Sequence, residues 1–128
     1  MAGAFAAGDH ATTFGGQPLA VRAALAVLDV MEAESIPERA AKAGEQLSAA
    51  LVALDGVVTV RGLGLLLAAE LAPGIDAKVV AMRCLEAGLV VNAVTPTALR
   101  LAPPLLVSDA EIDEAVGILA RVLDEVAP

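Results

Sequence analysis

Phe5 and Phe14 are the only aromatic residues in this chain, although hydrophobic residues make up 58% of it. Any core must therefore be built from Ala, Val and Leu, small side chains that fill space only when backbones pack closely. At 128 residues the chain has the usual size of one domain, and such a domain buries roughly two-thirds of its unfolded surface. The apolar supply is sufficient for a real core. No uncharged apolar run approaches the ~18 residues of a membrane span. Met1 to Ala7 carries no basic residue and is too short for a signal peptide. The expectation is a soluble, cytoplasmic chain with no membrane partner.

Sixteen acidic residues against eight basic ones leave a formal net charge of -8. That balance argues against nucleic acid, because phosphate contacts need a basic face and base stacking needs aromatic rings. The acids are dispersed along the chain and read as a solvated surface. Cys84 is the single cysteine, so no intramolecular disulfide can form. It lies in an apolar helical pattern and reads as a buried, inert thiol. One His and one Cys cannot make a zinc site of the usual kinds. Nothing orients Asp9, His10 and a distant serine into a triad.

Glycine, proline and periodicity divide the chain into elements. Met1 to Gly16 shows no period and reads as an extended lead-in. Pro18 suits the first turn of a helix, and helix-favouring, Ala-rich sequence runs from there to about Glu34. Ser35 and Glu38 have the spacing of a capping box. The helix they would open carries Ala40, Ala43, Leu47, Ala50, Leu51 and Leu54 on one face. Val57 to Arg61 is β-branched and strand-like, a turn is expected at Gly62-Leu63-Gly64, and Leu65 to Leu71 reads as a central strand. A helix is expected from about Asp76 to Ala87. Short strands follow at Leu89 to Val91 and Ala98 to Leu101, around a Thr95-Pro96 turn. Ser108 and Glu111 form a second capping box, opening a helix whose stripe is Ile112, Ala115, Val116, Leu119, Val122 and Leu123. This order predicts an α+β fold, a small antiparallel-rich sheet covered by helices, preceded by a loop and a long helix.

Two segments invite a chemical reading. Gly62-x-Gly64 follows a strand, but the third glycine of a dinucleotide fingerprint is missing and the next element is a strand, so a tight turn accounts for it better. The run His10-Ala11-Thr12-Thr13-Phe14-Gly15-Gly16-Gln17-Pro18 sets two adjacent hydroxyls and a glycine pair before a helix start. Hydroxyls, free N–H groups and a helix N-terminus suit a phosphate. A capped helix entry without ligand would read the same.

That run resembles the His-Gly-Thr-Thr-Phe-Gly-Gly-Asn-Pro motif of class III aminotransferases, with Ala11 and Gln17 as departures. Val60-Arg61-Gly62-Leu63-Gly64-Leu65 resembles the family's Arg-Gly-x-Gly strand turn. Gly88 to Ala93 and Leu99-Arg100-Leu101-Ala102-Pro103-Pro104-Leu105 resemble its late strands, and Ser108 to Glu114 its final helix entry. The likeness runs over essentially the whole chain and is nearest the acetylornithine branch. It implies the C-terminal part of a homodimeric fold type I enzyme that uses pyridoxal phosphate, with residues 1–34 as phosphate-motif arm and connecting helix and 35–128 as the small domain. It further implies that Thr13, assisted by Thr12, binds the cofactor phosphate of the neighbouring subunit. Arg100 would grip the substrate α-carboxylate, for which a planar guanidinium offers two parallel hydrogen bonds. Arg61 reads as structural, and Asn92 as lying near the active-site mouth or simply ending a strand.

The resemblance also shows what the chain lacks. The family's cofactor-binding lysine lies upstream of the threonine motif, and the two lysines here, Lys42 and Lys78, fall in amphipathic helices without the family's surrounding sequence. The expected role is therefore a fragment or separately encoded piece of an acetylornithine-type transaminase, acting on amino-acid and 2-oxo-acid substrates in arginine biosynthesis and inactive by itself. The ornithine, succinylornithine and 4-aminobutyrate branches stay open. A stand-alone, non-catalytic interaction domain derived from the same fold is the alternative.

Overall fold

The computed structural model describes residues 12–126. Contacts divide the chain into two compact units, Met1–Ser35 and Ile36–Pro128. The Asp9 and His10 pair and the Ala11 departure lie outside the described residues.

In the first unit, α1 spans Pro18–Ala33 with proline in its first turn, where the missing N–H has no intrahelical acceptor to lose. No residue of α1 is buried. A helix this apolar on all sides is normally covered. Leu19, Val21, Leu25, Val27, Leu28 and Val30 are nevertheless exposed.

The second unit runs α2 (Ile36–Val52), β1 (Val57–Leu63), β2 (Leu66–Leu71), α3 (Ala77–Glu86), β3 (Asn92–Thr95), β4 (Ala98–Leu101) and α4 (Asp109–Val126). The strands form one antiparallel sheet in the order β1-β2-β4-β3, so β2 is central as its composition predicts. Leu67, Ala69 and Leu71 of β2 and Leu99 and Leu101 of β4 are buried. They lie on one alternation of the strands, the face covered by helices. Ala98, at the first position of β4, is buried on the other alternation. Leu47 and Leu51 of α2, Val80 and Cys84 of α3, and Ile112, Leu119 and Leu123 of α4 complete the core. Every one is aliphatic or a thiol, as the shortage of aromatics requires.

Gly44 of α2 lies inside this core. A Cβ placed there would sit 2.2 Å from the Gly64 carbonyl oxygen and 2.8 Å from its Cα. The helix thus rests directly on the backbone of the β1–β2 turn, a contact that no side chain at 44 would allow. The apolar stripe read from the sequence omits it, since glycine has no hydrophobic signature.

Three boundaries differ from expectation. The Ser35–Glu38 capping box does not form: Ser35 has φ 50, in the left-handed region, whereas a capping residue needs extended backbone. The first turn falls at Gly64-Leu65, not at Gly62. β1 continues through Gly62, paired with Leu67, because the absent Cβ lets the Leu66 carbonyl oxygen approach to 2.1 Å from its ideal position. The third strand begins at Asn92 and not at Leu89. The Leu89 N–H is held by the Cys84 carbonyl at 2.7 Å and the Gly88 N–H by Leu85 at 3.1 Å, with Gly88 at φ 92. This is a Schellman closure of α3, and it keeps the next residues at the helix end. The following turn accordingly falls at Pro96-Thr97, between β3 and β4.

The second capping box does form. The Ser108 backbone N–H and hydroxyl donate to Glu111 Oε2 at 2.8 and 2.7 Å, and the Glu111 N–H donates to the Ser108 hydroxyl at 3.3 Å. These bonds, the backbone one foremost, hold the Glu111 carboxyl below its ordinary pKa of 4.5. Ser108→Ala should lower the unfolding free energy by about 1 kcal/mol at neutral pH. Because the Glu111 pKa is depressed in the folded state, its contribution is present above the ordinary value and lost as pH falls through the folded one. The gap between wild type and Ser108→Ala should therefore narrow below pH 4.5. Urea unfolding followed by far-UV circular dichroism at pH 7 and in acid would test both statements, and a gap that widened in acid would contradict them.

Candidate functional site

The candidate residues fall in both units. In the first, the Thr12 hydroxyl accepts the Gly15 N–H at 3.3 Å, folding the segment into a turn before α1. A threonine hydroxyl that accepts still has its own proton to donate. Thr13 is exposed and makes no hydrogen bond among the described residues. Gln17 caps α1 through backbone alone, with no side-chain hydrogen bond, so N–H groups of the first turn stay open. Two hydroxyl donors therefore precede an uncapped helix start, where the helix dipole favours an anion.

In the second unit, register sets the arrangement. Arg61 of β1 and Arg100 of β4 both pair with Ala68 of β2, and Asn92 of β3 pairs with Arg100. Directly opposed residues share a face. Arg61, Ala68, Arg100 and Asn92 thus form one row across the face of the sheet that the helices leave open. Asn92 is the direct cross-strand neighbour of Arg100. Arg61 and Arg100 are two strand spacings apart, roughly 10 Å.

The two arginines differ in their surroundings. Arg61 Nη1 donates to Glu70 Oε2 at 2.8 Å, which agrees with a structural reading of Arg61. Arg100 is exposed and has no hydrogen bond or ion pair among the described residues. The second oxygen of Glu70, Oε1, accepts the Thr97 hydroxyl. The Thr97 hydroxyl first, and the Arg61 guanidinium next, hold the Glu70 carboxyl below its ordinary pKa. Sequence reasoning misses this Glu70–Thr97 contact: the residues are 27 positions apart and meet only because of the β2–β4 register.

Other features of the described residues offer no evident site chemistry. An apolar groove of about 470 Å³ lies along Leu89 to Val91, Leu101 to Pro104 and α4, but its one titratable group, Glu111, is bound to Ser108. Cys84 is fully buried, and burial pushes its thiol pKa up, the inert state expected of it. Lys42 and Lys78 are exposed on α2 and α3. No cluster of His, Cys, Asp and Glu among the described residues could hold a metal, and no described helix is long and apolar enough to cross a membrane.

Comparison with known proteins gives a consistent picture. Residues 1–123 match the family model for class-III aminotransferases. An acetylornithine aminotransferase of Bifidobacterium longum is 46% identical over 124 residues, 95% of this chain and 28% of that protein. Acetylornithine aminotransferase 1 of Bordetella bronchiseptica is 42% identical over 128 residues, 97% of this chain and 32% of that protein. The structure of an ornithine aminotransferase from Toxoplasma gondii, with PLP at partial occupancy in its active site, superimposes with a TM-score of 0.78 at 31% identity, covering 94% of this chain and 30% of that one. The chain thus spans about a third of the length of the relatives it matches.

Proposed function

Because this chain belongs to the class-III aminotransferase family, we propose that it supplies the C-terminal third of an acetylornithine-type transaminase, with residues 1–34 as phosphate-binding arm and connecting helix and 35–128 as the small domain. The observation that carries the reading is the pair of unengaged polar groups at motif positions, the Thr13 hydroxyl and the Arg100 guanidinium. On the sheet face that carries Arg100, Arg61 and Glu70 are by contrast joined to each other.

The donors around Thr13 fit the phosphate of pyridoxal phosphate. Thr13 and Thr12 would donate hydroxyl protons to phosphate oxygens, joined by N–H groups of the first turn of α1. In the homodimer these residues would serve the cofactor of the opposite subunit. When bound, pyridoxal phosphate supplies the electron sink for transamination. Arg100 would receive the α-carboxylate of an amino acid, N-acetylornithine foremost, or of a 2-oxo acid, and orient it through two parallel hydrogen bonds. Asn92, next to it in register, would flank the same carboxylate. Neither Lys42 nor Lys78 stands near the Arg100 row, since both lie on helices that cover the opposite side of the sheet. In this reading the covalent anchor for the cofactor comes from outside these residues.

The exposed apolar residues of α1 favour a surface made to be covered by more protein. They also support a second reading, a stand-alone, non-catalytic interaction domain. One experiment separates the two: borohydride trapping with pyridoxal phosphate, read by intact mass and peptide mapping, on the chain alone and joined to the remaining two-thirds of a relative. Alone, the chain should give no stoichiometric adduct. Joined, it should give one adduct, on a lysine outside residues 1–128. A specific adduct on Lys42 or Lys78 of the chain alone would overturn the proposal. An inert joined protein would favour the interaction domain.

A further inference from the structure

Glu70 occupies a particular place between the two arginines of the open sheet face. Its register partners are Thr59 on β1 and Ala98 on β4, while Arg61 and Arg100 both pair with Ala68, two residues away on the same strand. Glu70 is therefore a diagonal neighbour of Arg61 on one side and of Arg100 on the other. Such diagonals span roughly 7–8 Å, within reach of long side chains. By position alone, one carboxylate could pair with either guanidinium. In the structure it pairs only with Arg61.

The Thr97 hydroxyl breaks the symmetry. It holds Glu70 Oε1 while Arg61 holds Oε2, so both oxygens are occupied. Thr97 is itself fixed by the hairpin: its carbonyl accepts the Leu71 N–H at 2.7 Å and its N–H donates to the Thr95 hydroxyl at 3.3 Å. The Arg61–Glu70 pair is too exposed to hold the carboxylate by itself, with side chains 57% and 30% accessible, since exposed pairs contribute little. A second, backbone-anchored contact is needed to select one arginine over the other.

We propose that Glu70 is a positioning residue, held by Thr97 and Arg61 so that Arg100 stays open to a carboxylate ligand. It acts by withholding a competing intramolecular partner and does not touch the ligand. The proposal rests on the carboxylate-binding reading of Arg100. It adds that the chain itself contains a competitor for that site. Without Thr97, Glu70 would divide its time between two equivalent arginines. If it did so evenly, the open fraction of Arg100 would halve and the apparent dissociation constant for a carboxylate would rise about twofold.

The test uses the whole chain, with carboxyl-labelled glutamate to read the titration midpoint of Glu70 and nitrogen-labelled arginine to read the Arg100 Nε–H by NMR. In the wild-type background, Arg100→Gln should leave the Glu70 midpoint nearly unchanged. In the Thr97→Val background, Arg100→Gln should raise it by up to about 0.3 pH units, the factor of two lost when one of two equal partners is removed. Thr97→Ser, which keeps the hydroxyl, should behave as wild type. Equal shifts in the wild-type and Thr97→Val backgrounds would overturn the proposal. If Thr97→Val does not fold, Glu70→Gln decides: it should leave the acetate response of Arg100 as strong as in wild type or stronger, and a weaker response would overturn the proposal. Acetate added to the wild-type chain reads the underlying assignment separately. An Arg100 signal that ignores acetate would remove the carboxylate reading of Arg100 and the proposal with it, whereas a normal acetate response with equal midpoint shifts would remove only the proposal.

Discussion

Gly44→Ala should destabilise the second unit, although the same change in an ordinary helix interior would stabilise it by about 1 kcal/mol. Two effects oppose each other at this position. Alanine reduces the backbone entropy lost on folding and favours α2. Its methyl group would, however, sit 2.2 Å from the Gly64 carbonyl oxygen and 2.4 Å from the carbonyl carbon. Those are backbone atoms of a tight turn and cannot rotate away as a side chain would. Relief requires α2 to lift from the β1–β2 turn, which loosens the packing of its buried neighbours Ala40, Leu47 and Leu51. Overpacking of this kind typically costs about 1–3 kcal/mol, and a rigid neighbour puts the case at the upper end. The steric term should win, with a net loss of about 1–2 kcal/mol. For a unit of this size that is a fall in melting temperature of roughly 5–15 °C. No aromatic residue lies in the second unit, so the melt should be followed by far-UV circular dichroism and not by fluorescence. A raised melting temperature would mean that helix and turn do not approach as closely as the structure has them.

The same position shows where sequence reasoning succeeds and where it ends. The class of fold was legible because each element carries its own signal. The stripe from Ile112 to Leu123 specifies α4, the Ser108–Glu111 box specifies its start, and Leu65 to Leu71 is apolar enough to be central. Each of these depends on residues within a few positions of one another. Gly44 was not legible, because its role depends on a backbone twenty residues away. Gly62 was misread as a turn because glycine marks turns and tight backbone contacts alike. Leu89 to Val91 has the composition of a strand, but the Leu89 N–H is bonded to the Cys84 carbonyl at the end of α3, and β3 starts at Asn92. Among the proposed site residues, Thr12, Thr13 and Arg100 were singled out through their motifs, and periodicity would not have distinguished Arg100 from any surface arginine. Glu70 and Thr97 were out of reach, since only the register of two strands brings them together.

The proposed carboxylate role of Arg100 leads to the largest expected effect on activity. In an enzyme assembled by placing residues 1–128 in the corresponding third of the Bifidobacterium longum relative, Arg100→Ala should lower kcat/KM for both the amino acid and the 2-oxo acid by roughly two to three orders of magnitude. That range corresponds to removing one partner of a hydrogen-bonded charge pair. Arg100→Lys should recover only part of the loss, because an ammonium restores the charge but not the two parallel bonds that fix the carboxylate plane. Retention of pyridoxal phosphate should be unchanged in both variants, as Arg100 is assigned to the substrate and not to the cofactor. Thr13→Ala should show the opposite pattern: faster loss of cofactor on dialysis, and near-normal KM values once saturating pyridoxal phosphate is restored. The contrast matters because general damage to the fold would impair both properties in both variants. Steady-state kinetics at saturating cofactor, paired with absorbance measurement of retained cofactor, would separate these outcomes. Arg100→Ala with unaltered kcat/KM would leave the open arginine of this sheet without its proposed ligand, and the α-carboxylate would have to be bound by the part of the enzyme outside this chain.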